Sequence, residues 1–133
     1  GSDLLLGGSM PKGNGWWYPP TMLENVHPGM PAFDEEIFGP VAALIRADDI
    51  NHAVALAGNT KFGLGAAIFS ANMDRSQQAI AGIEVGCFAI NDYVRSDPRI
   101  PFGGTKASGY GRELGRAGIH EFTYLKSVVT SRD

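Results

Sequence analysis

The sequence predicts an α/β fold in which a parallel sheet is joined by crossover helices, and three observations predict it. Apolar runs of strand length alternate with helical patterns in the middle third of the chain, at intervals typical of βαβ units. The 18 glycines, many in short clusters, indicate frequent sharp turns between those elements. A composition of 44% hydrophobic and 19% charged residues is typical of a globular domain or part of one.

The N-terminal segment predicts a hairpin. Leu4-Leu5-Leu6 forms a short strand, residues 10–15 form a connection rich in Pro, Gly and Asn, and Trp16-Trp17-Tyr18 begins the second strand. Pro19-Pro20 restricts that strand to an edge or a bulge, and an extended pattern resumes from Thr21 to Val26.

The segment from Phe33 to Val41 predicts a loop, because Gly39-Pro40 interrupts any regular element. Glu36 and Phe38 then lie at the mouth of a sheet. A carboxylate there accepts hydrogen bonds from a vicinal diol such as a ribose, and a phenyl ring packs on a flat heteroaromatic ring. The alternative is a solvated carboxylate and a phenyl ring that fills the core.

After this loop, a strand and a helix are predicted. Val41 to Arg46 reads as a buried strand, and Asp48 or Asp49 caps a helix that ends at Gly58. The apolar positions of that helix follow the i, i+3, i+4, i+7 spacing: Ile50, Ala53, Val54 and Ala57.

The next strand, helix and strand complete the predicted parallel arrangement. Gly63 to Phe69 forms the strand, and Asp74 with Gln77 resembles a capping box for a helix that ends by Gly86. Its core-facing residues are predicted to be Ala79, Ile80 and Ile83. Cys87 to Ile90 is the following apolar strand.

Ligands of open α/β sheets collect beyond the carboxyl ends of strands, and residues 91–104 follow such an end. Beyond them, Gly109 to Gly115 predicts a turn, Arg116 to Phe122 a short helix and Leu125 to Thr130 a final strand.

Several function classes are disfavoured. The net charge of −3 comes with dispersed Lys and Arg, so no nucleic-acid surface is predicted. No apolar run approaches the roughly 20 residues of a bilayer span, so no membrane partner is predicted either. A single cysteine forms no internal disulfide, which fits a reducing, cytoplasmic location.

Common motifs for dinucleotide binding, metal binding and cysteine catalysis are not matched either. The spacing Gly109-x-Gly111-x-x-x-Gly115 misses the dinucleotide fingerprint by one residue. No metal site is predicted, since His27, His52 and His120 have no ligand partner at suitable spacing. Cys87 lies in an apolar strand and is interpreted as a core residue rather than a nucleophile.

Four segments together resemble the aldehyde dehydrogenase superfamily, in its C-terminal part and in the same order. They are Glu35-Glu36-Ile37-Phe38-Gly39-Pro40-Val41, Asn59-Thr60-Lys61-Phe62-Gly63-Leu64-Gly65-Ala66, Gly86-x-x-x-Ile90-Asn91, and Pro101-Phe102-Gly103-Gly104-x-Lys106-x-Ser108-Gly109-x-Gly111-Arg112-Glu113. The resemblance implies a partial aldehyde dehydrogenase catalytic domain, with residues 1–124 in that domain and 125–133 as an oligomerisation strand and tail.

The resemblance also implies site residues. Glu36 would bind the nicotinamide ribose of NAD or NADP, Phe38 would contact the nicotinamide, and Phe102 would line the aldehyde pocket. The family's nucleophilic cysteine, general-base glutamate and Rossmann domain lie upstream, so no catalytic residue is expected in this chain. In the family a cysteine thiolate attacks the aldehyde, hydride passes to the nicotinamide, and water hydrolyses the thioester.

The loop from Asn91 to Arg99 is similar to that of succinate-semialdehyde dehydrogenases, where a serine helps to bind the substrate carboxylate. Ser96, with Arg95, is therefore predicted to recognise the carboxylate of succinic semialdehyde. The alternative is a solvated loop in which Arg95 or Arg99 pairs with Asp92 or Asp97.

The chain is thus interpreted as part of an NAD(P)-dependent enzyme that oxidises an aldehyde, and the fragment itself is expected to be inactive. A homo-oligomer is predicted to form through Leu125 to Thr130. A non-catalytic assembly or binding module is the alternative. A weaker one is a carbohydrate or nucleotide binder using Trp16 and Trp17, a pair that more often serves a core or interface.

Overall fold

The computed structural model describes residues 1–131 and divides the chain into two units, Gly1–Ala53 and Val54–Asp133. The boundary falls within helix α2, Ile50–Gly58. Both units mix short helices with small sheets, so the predicted α/β class is confirmed at this level. No described helix is long and apolar enough to cross a membrane.

The N-terminal unit contains a three-stranded sheet of order β1-β2-β3. Strand β1, Asp3–Leu6, pairs antiparallel with β2, Thr21–Glu24, as a hairpin requires. Strand β3, Val41–Ala43, pairs parallel with β2, with Thr21 opposite Val41. The core of this unit contains the fully buried Val26 and the nearly buried Thr21.

Three predictions for this unit are wrong in detail. The strand expected at Trp16-Trp17-Tyr18 begins only at Thr21, because Pro19 and Pro20 have no N–H to donate to a sheet. The predicted loop after Phe33 is preceded by a one-turn helix α1, Pro31–Asp34, which has proline at its first position. The strand at Val41 is three residues long and half-buried rather than buried.

The C-terminal unit contains two separate two-stranded sheets. Strands β5, Gly65–Ile68, and β6, Cys87–Ile90, run parallel, with Gly65 opposite Cys87 and Ile68 opposite Ile90. Helix α3, Met73–Gly82, connects them and completes a βαβ crossover. The predicted crossover is therefore correct for β5 and β6, but β3 does not join them and pairs with β2 instead.

The second small sheet pairs β4, Phe62–Gly63, with β7, Thr105–Lys106, in antiparallel register. The strand predicted from Gly63 to Phe69 is thus divided between two sheets. Helix α4, Gly115–Glu121, follows close to its predicted position.

Helix ends follow local side-chain chemistry. Helix α2 begins after Asp49, whose Oδ1 accepts a hydrogen bond from the His52 N–H at 2.8 Å, and it ends at Gly58 as predicted. Helix α3 is capped by Asn72, whose Oδ1 accepts from the Arg75 N–H at 3.1 Å, so the predicted capping box at Asp74 is wrong. Of the three residues predicted to face the core from this helix, Ala79 is buried, Ile80 is 39% exposed, and Ile83, which follows the last helical residue, is half-buried.

Candidate functional site

Two consecutive γ-turns shape the loop between α1 and β3. The Gly39 N–H donates to the Ile37 carbonyl at 2.8 Å, and the Val41 N–H donates to the Gly39 carbonyl at 2.8 Å. Each bond spans a single residue, so Phe38 and Pro40 are the central residues of the two turns. The Pro40 carbonyl then accepts from the Thr21 N–H at 2.8 Å, which fixes the end of the loop to β2.

These turns present Glu36 and Phe38 to solvent. The phenyl ring of Phe38 is 96% exposed, and Glu36 is exposed as well. Within residues 1–131 no side chain forms a hydrogen bond or ion pair with the Glu36 carboxylate. A phenyl ring in the core is therefore excluded.

A free carboxylate and a free aromatic face on one short loop can accept hydrogen bonds from a vicinal diol and pack against a flat ring. The neighbouring Gly39 and Pro40 line a shallow groove of about 390 Å³ that also contacts β2 and β3. Both Glu36 and Phe38 lie at the surface. Burial in the protein interior would have been incompatible with a role in binding.

A cleft of about 450 Å³ lies beside β6 in the C-terminal unit. We call it the β6 cleft; it is lined by Gly86, strand β6, residues 92–95, Asp97 and residues 100–102. The cleft thus involves the loop at the carboxyl end of a parallel strand, where ligands of α/β sheets collect. Its position agrees with the sequence expectation for residues 91–104.

Phe102 is half-buried and lines the β6 cleft. Its N–H donates to the Glu113 carbonyl at 2.7 Å and its carbonyl accepts from the Glu113 N–H at 2.8 Å, so an isolated β-bridge fixes its backbone. Phe102 also lines a second cleft of about 420 Å³, which contains Arg112, Glu121 and Phe122. The predicted substrate contact therefore lies at a wall shared by two clefts.

Arg95 also lines the β6 cleft, but it is not a free cation. Its Nη2 lies 3.1 Å from Asp92 Oδ2, and its guanidinium lies 5.0 Å from the centre of the Tyr93 ring. The pKa of Arg95 is raised, first by a hydrogen bond to Tyr93 and next by the charge of Asp92. A guanidinium has five N–H donors, so the pair with Asp92 leaves donors for a further acceptor.

The second arginine of the loop is also paired. Arg99 Nε donates to Asp97 Oδ1 at 2.9 Å and to Oδ2 at 3.2 Å. The pKa of Asp97 is lowered from 3.8, first by the side-chain bond from Arg99 and then by a bond from the Arg99 N–H. The alternative arginine–aspartate pairs weighed from the sequence are thus both present, whereas Ser96 is exposed and does not line the β6 cleft.

Cys87 is half-buried rather than a closed core residue, because it lines the β6 cleft. Its Sγ lies 3.8 Å from the Gly103 carbonyl oxygen, and no base or cation is paired with it in the described chain. Two of the histidines have local positions that explain them: His52 Nδ1 lies 3.0 Å from Asp48 Oδ2, and His120 lies in the last turn of α4. No group of three possible metal-ligating side chains lies together within residues 1–131.

The segment after α4 differs from its predicted form. Within the described residues, 123–131 form neither helix nor strand, and Arg132 and Asp133 lie outside the described residues. The apolar side chains of this segment and of Phe122 are strongly exposed: Phe122 88%, Tyr124 90%, Leu125 100%, Val128 78% and Val129 91%. The final strand predicted from Leu125 to Thr130 is therefore absent from the chain on its own.

Asn91 and Lys106 have structural roles that the sequence did not predict. Asn91 follows β6 at a φ of +53° and forms hydrogen bonds with Ser70. Lys106 Nζ donates to the carbonyls of Gly58 and Thr60 at 3.3 and 3.2 Å, at the C-terminal end of α2. The role of Asn91 could have been predicted from its position directly after a strand. The role of Lys106 could not, because its partners lie over 40 residues away in the sequence.

Comparisons with known proteins agree on one family. The family model described as "Aldehyde dehydrogenase family" matches residues 1–128. The succinate semialdehyde dehydrogenase Sad of Escherichia coli (strain K12), named as using NAD(P)+, is 49% identical over 132 residues, which are 99% of this chain and 29% of that protein. A probable NADP(+) succinate-semialdehyde dehydrogenase of Synechocystis sp. is 48% identical over 96% of this chain and 28% of its own length.

Solved structures of aldehyde dehydrogenases are similar to this chain as well. An NAD-dependent aldehyde dehydrogenase from Sinorhizobium meliloti has a TM-score of 0.91 at 43% identity, over 95% of this chain and 25% of that one. The Mycobacterium tuberculosis aldehyde dehydrogenase complexed with NAD+ has a TM-score of 0.91 at 38% identity, over 98% of this chain and 27% of that one. The chain therefore spans less than a third of the length of the relatives it matches.

Proposed function

The chain belongs to the aldehyde dehydrogenase family, and we propose that it forms the C-terminal part of the catalytic domain of an enzyme that oxidises succinic semialdehyde with NAD or NADP. The names of the similar proteins from E. coli and Synechocystis support both the substrate and the coenzyme. In this proposal residues 1–124 belong to the catalytic domain and 125–133 form an oligomerisation strand and tail.

The observation that carries the proposal is the exposed pair Glu36 and Phe38 on one γ-turn loop. Glu36 accepts hydrogen bonds from the ribose hydroxyls next to the nicotinamide, because its carboxylate has no partner of its own. Phe38 packs against the nicotinamide ring. The bound coenzyme supplies the hydride acceptor for the oxidation.

The aldehyde is placed in the β6 cleft. Phe102 gives the cleft an apolar wall for the carbon chain, and its bridge to Glu113 keeps that wall in place. Arg95, which lines the cleft, supplies a charged donor for the substrate carboxylate although it is already paired with Asp92. The exposed Ser96 does not line the cleft, so in this proposal its hydroxyl reaches the carboxylate from the loop outside the lining. The attacking thiolate and the general base come from polypeptide outside these residues, as in the family resemblance, and Cys87 is not the nucleophile.

The test compares coenzyme variants with matched neighbours in the full-length polypeptide that contains this chain. Glu36→Gln and Phe38→Ala are expected to raise the KM for NAD(P) by roughly tenfold or more, since each removes a contact to the reactive half of the coenzyme. Glu35→Gln and Ile37→Ala are the controls and should leave that KM within about twofold. Equal KM values for Glu36→Gln and Glu35→Gln would refute the assignment.

Substrate recognition is tested on the ratio of kcat/KM for succinic semialdehyde to that for a neutral aldehyde of equal length. Ser96→Ala is expected to lower the ratio roughly tenfold, as the loss of one charge-assisted hydrogen bond implies. Arg95→Gln should lower it less, because Asp92 already shares that charge. Arg116→Gln is the matched control, since Arg116 is exposed, does not line the β6 cleft and, within residues 1–131, forms no ion pair with a residue that does.

The fragment is proposed to be inactive by itself. Residues 1–133 incubated with succinic semialdehyde and NAD or NADP should form no reduced coenzyme, as judged by its absorbance. Turnover that disappears in Cys87→Ala would mean that the nucleophile has been misassigned.

A second function is favoured by the exposed apolar segment after α4. Tyr124, Leu125 and Val129 are each at least 90% exposed, and a segment that forms neither helix nor strand can satisfy its backbone by joining a sheet edge. We infer that it pairs with another copy of the chain. Light scattering of the chain and of a version ending at Tyr124 should give a larger mass for the intact chain, and equal masses would exclude this role.

The weaker binding alternative rests on Trp16 and Trp17. The two indoles are 98% and 68% exposed, so the pair does not form a core, and Trp17 Nε1 donates to the Asn14 carbonyl at 3.2 Å. Among the described residues no side-chain hydrogen bond involves Trp16, so the coenzyme and aldehyde assignment is preferred.

A further inference from the structure

Asn91 closes the carboxyl end of β6 with a reciprocal pair of side-chain hydrogen bonds. Its Oδ1 accepts from the Ser70 N–H at 2.8 Å, and its Nδ2 donates to the Ser70 carbonyl at 3.0 Å. Its own N–H donates to the Ile68 carbonyl at 2.8 Å. The carboxamide thereby pairs with the backbone of Ser70, just beyond the last register pair of β5 and β6.

The backbone of Asn91 turns the chain into the β6 cleft. Its φ of +53° is in the left-handed region, which asparagine tolerates better than most residues. Residues 92–95 directly after it line the cleft, whereas Asn91 itself does not. The direction of this wall is therefore set at one residue.

The partner of Asn91 is itself held in place. The Ser70 hydroxyl accepts from the Asn72 N–H at 3.0 Å, and Asn72 caps helix α3 through the Arg75 N–H at 3.1 Å. Bonds thus connect the start of the cleft wall to the N-terminus of α3. The four register pairs of β5 and β6 do not involve the Asn91 side chain, so its removal leaves that pairing intact.

We propose that Asn91 is a positioning residue, which holds residues 92–95 as a wall of the β6 cleft through its paired bonds to Ser70 and so tunes the fit of the aldehyde. The part of this inference that concerns substrate rests on the proposed function. The part that concerns the wall rests only on the bonds and the backbone angle.

Three variants in the full-length polypeptide separate these contributions. Asn91→Gly keeps the backbone angle and removes both side-chain bonds. Asn91→Asp keeps an acceptor for the Ser70 N–H but places a carboxylate oxygen against the Ser70 carbonyl. Asn25→Gly is the matched control, because Asn25 also follows a strand at a φ of +55°, donates from Nδ2 to Asp3 Oδ2 at 2.7 Å and lines no part of the β6 cleft.

The first readout is hydrogen exchange, which needs no substrate. In Asn91→Gly the amides of Ser70 and Tyr93, which are hydrogen-bonded in the wild type, are expected to exchange about tenfold faster, while those within β6 change little. Asn91→Asp should show a partial effect and Asn25→Gly none in this region. Unchanged exchange in Asn91→Gly would overturn the proposal, whether or not the protein oxidises aldehydes.

The second readout compares the change in the aldehyde KM with the change in kcat. Asn91→Gly should raise the aldehyde KM about fivefold with kcat within about twofold, because the wall loosens while the reacting groups remain. The KM for NAD(P) should stay unchanged. Faster exchange without any change in aldehyde KM would reduce Asn91 to a structural residue, and absence of aldehyde oxidation in the wild type would instead refute the proposed function.

Discussion

Substitution of Gly86 by alanine is expected to separate two segments that line the β6 cleft. A Cβ built on Gly86 would lie 1.7 Å from the Gly103 carbonyl oxygen and 2.7 Å from the Gly103 carbonyl carbon. Gly86 does not need a left-handed backbone, so the effect is a steric overlap with main chain rather than a dihedral strain. Neither atom can rotate away as a flexible side chain would.

The magnitude follows from the overlap. The segments would have to part by about 1.3 Å to bring the Cβ to the 3.0 Å that real Cβ contacts require. Overpacking against yielding side chains costs typically 1–3 kcal/mol, so a clash with fixed backbone is expected to cost about 3 kcal/mol or more. Because Phe102 precedes Gly103 directly, the same displacement should also raise the aldehyde KM.

Denaturant unfolding of the full-length polypeptide measures this cost, with Gly58→Ala as the control. A Cβ on Gly58 would meet only the Gly82 carbonyl oxygen, at an ordinary contact distance of 3.7 Å, and its helical position favours alanine. Gly58→Ala should therefore be neutral or slightly stabilising. A Gly86→Ala protein whose free energy of unfolding lies within about 0.5 kcal/mol of wild type would refute the reasoning.

Three further predictions concern caps and charges. Asn72→Ala should lower the free energy of unfolding by about 1 kcal/mol and Asp74→Ala by less than about 0.5, because Asn72 caps α3. Lys106→Met should cost about 1 kcal/mol by releasing the Gly58 and Thr60 carbonyls, with Lys12→Met as a neutral control; equal midpoints would contradict this. Arg99→Gln should return the pKa of Asp97 toward 3.8 in an NMR titration, while Arg95→Gln should change it little. Since the folded pKa of Asp97 is depressed, its pair with Arg99 stabilises the fold above about pH 4 and loses this effect as the pH falls through the folded pKa.

The parts of the fold that were predicted correctly depend on neighbours in sequence. Helix α2 was placed from Asp49 before it, Gly58 at its end and the apolar spacing between them. The crossover from β5 through α3 to β6 follows from strand and helix lengths alone. The loop that carries Glu36 and Phe38 followed from Gly39-Pro40, which prevents a regular element there, whereas the sequence left open whether Phe38 is exposed or fills the core.

The incorrect predictions concern features that depend on residues far away in the sequence. Asn72 and Asp74 are both good caps, and Asn72 caps the helix because Ser70, which is bonded to Asn91 21 residues away, fixes the chain before it. Val41 could have joined β5 as easily as β2, since the apolar pattern does not specify a partner strand. From the sequence, Arg95 could contact either a ligand or Asp92. The position of the loop in the structure shows that Arg95 pairs with Asp92 and also lines the cleft.

Burial explains why the sites are open in this chain. Among the described hydrophobic residues only Val26 and Ala79 are buried, although a domain of this length ordinarily buries most of its apolar side chains. The large exposed ones occur in both units, including Leu6 at 59%, Phe69 at 72% and Ile100 at 56%. Surfaces of this kind are normally covered by further polypeptide. If the proposed function is correct, we expect further polypeptide to complete the clefts around Phe102, so substitutions in them should affect substrate binding in the full-length protein more than they affect the folding of residues 1–133.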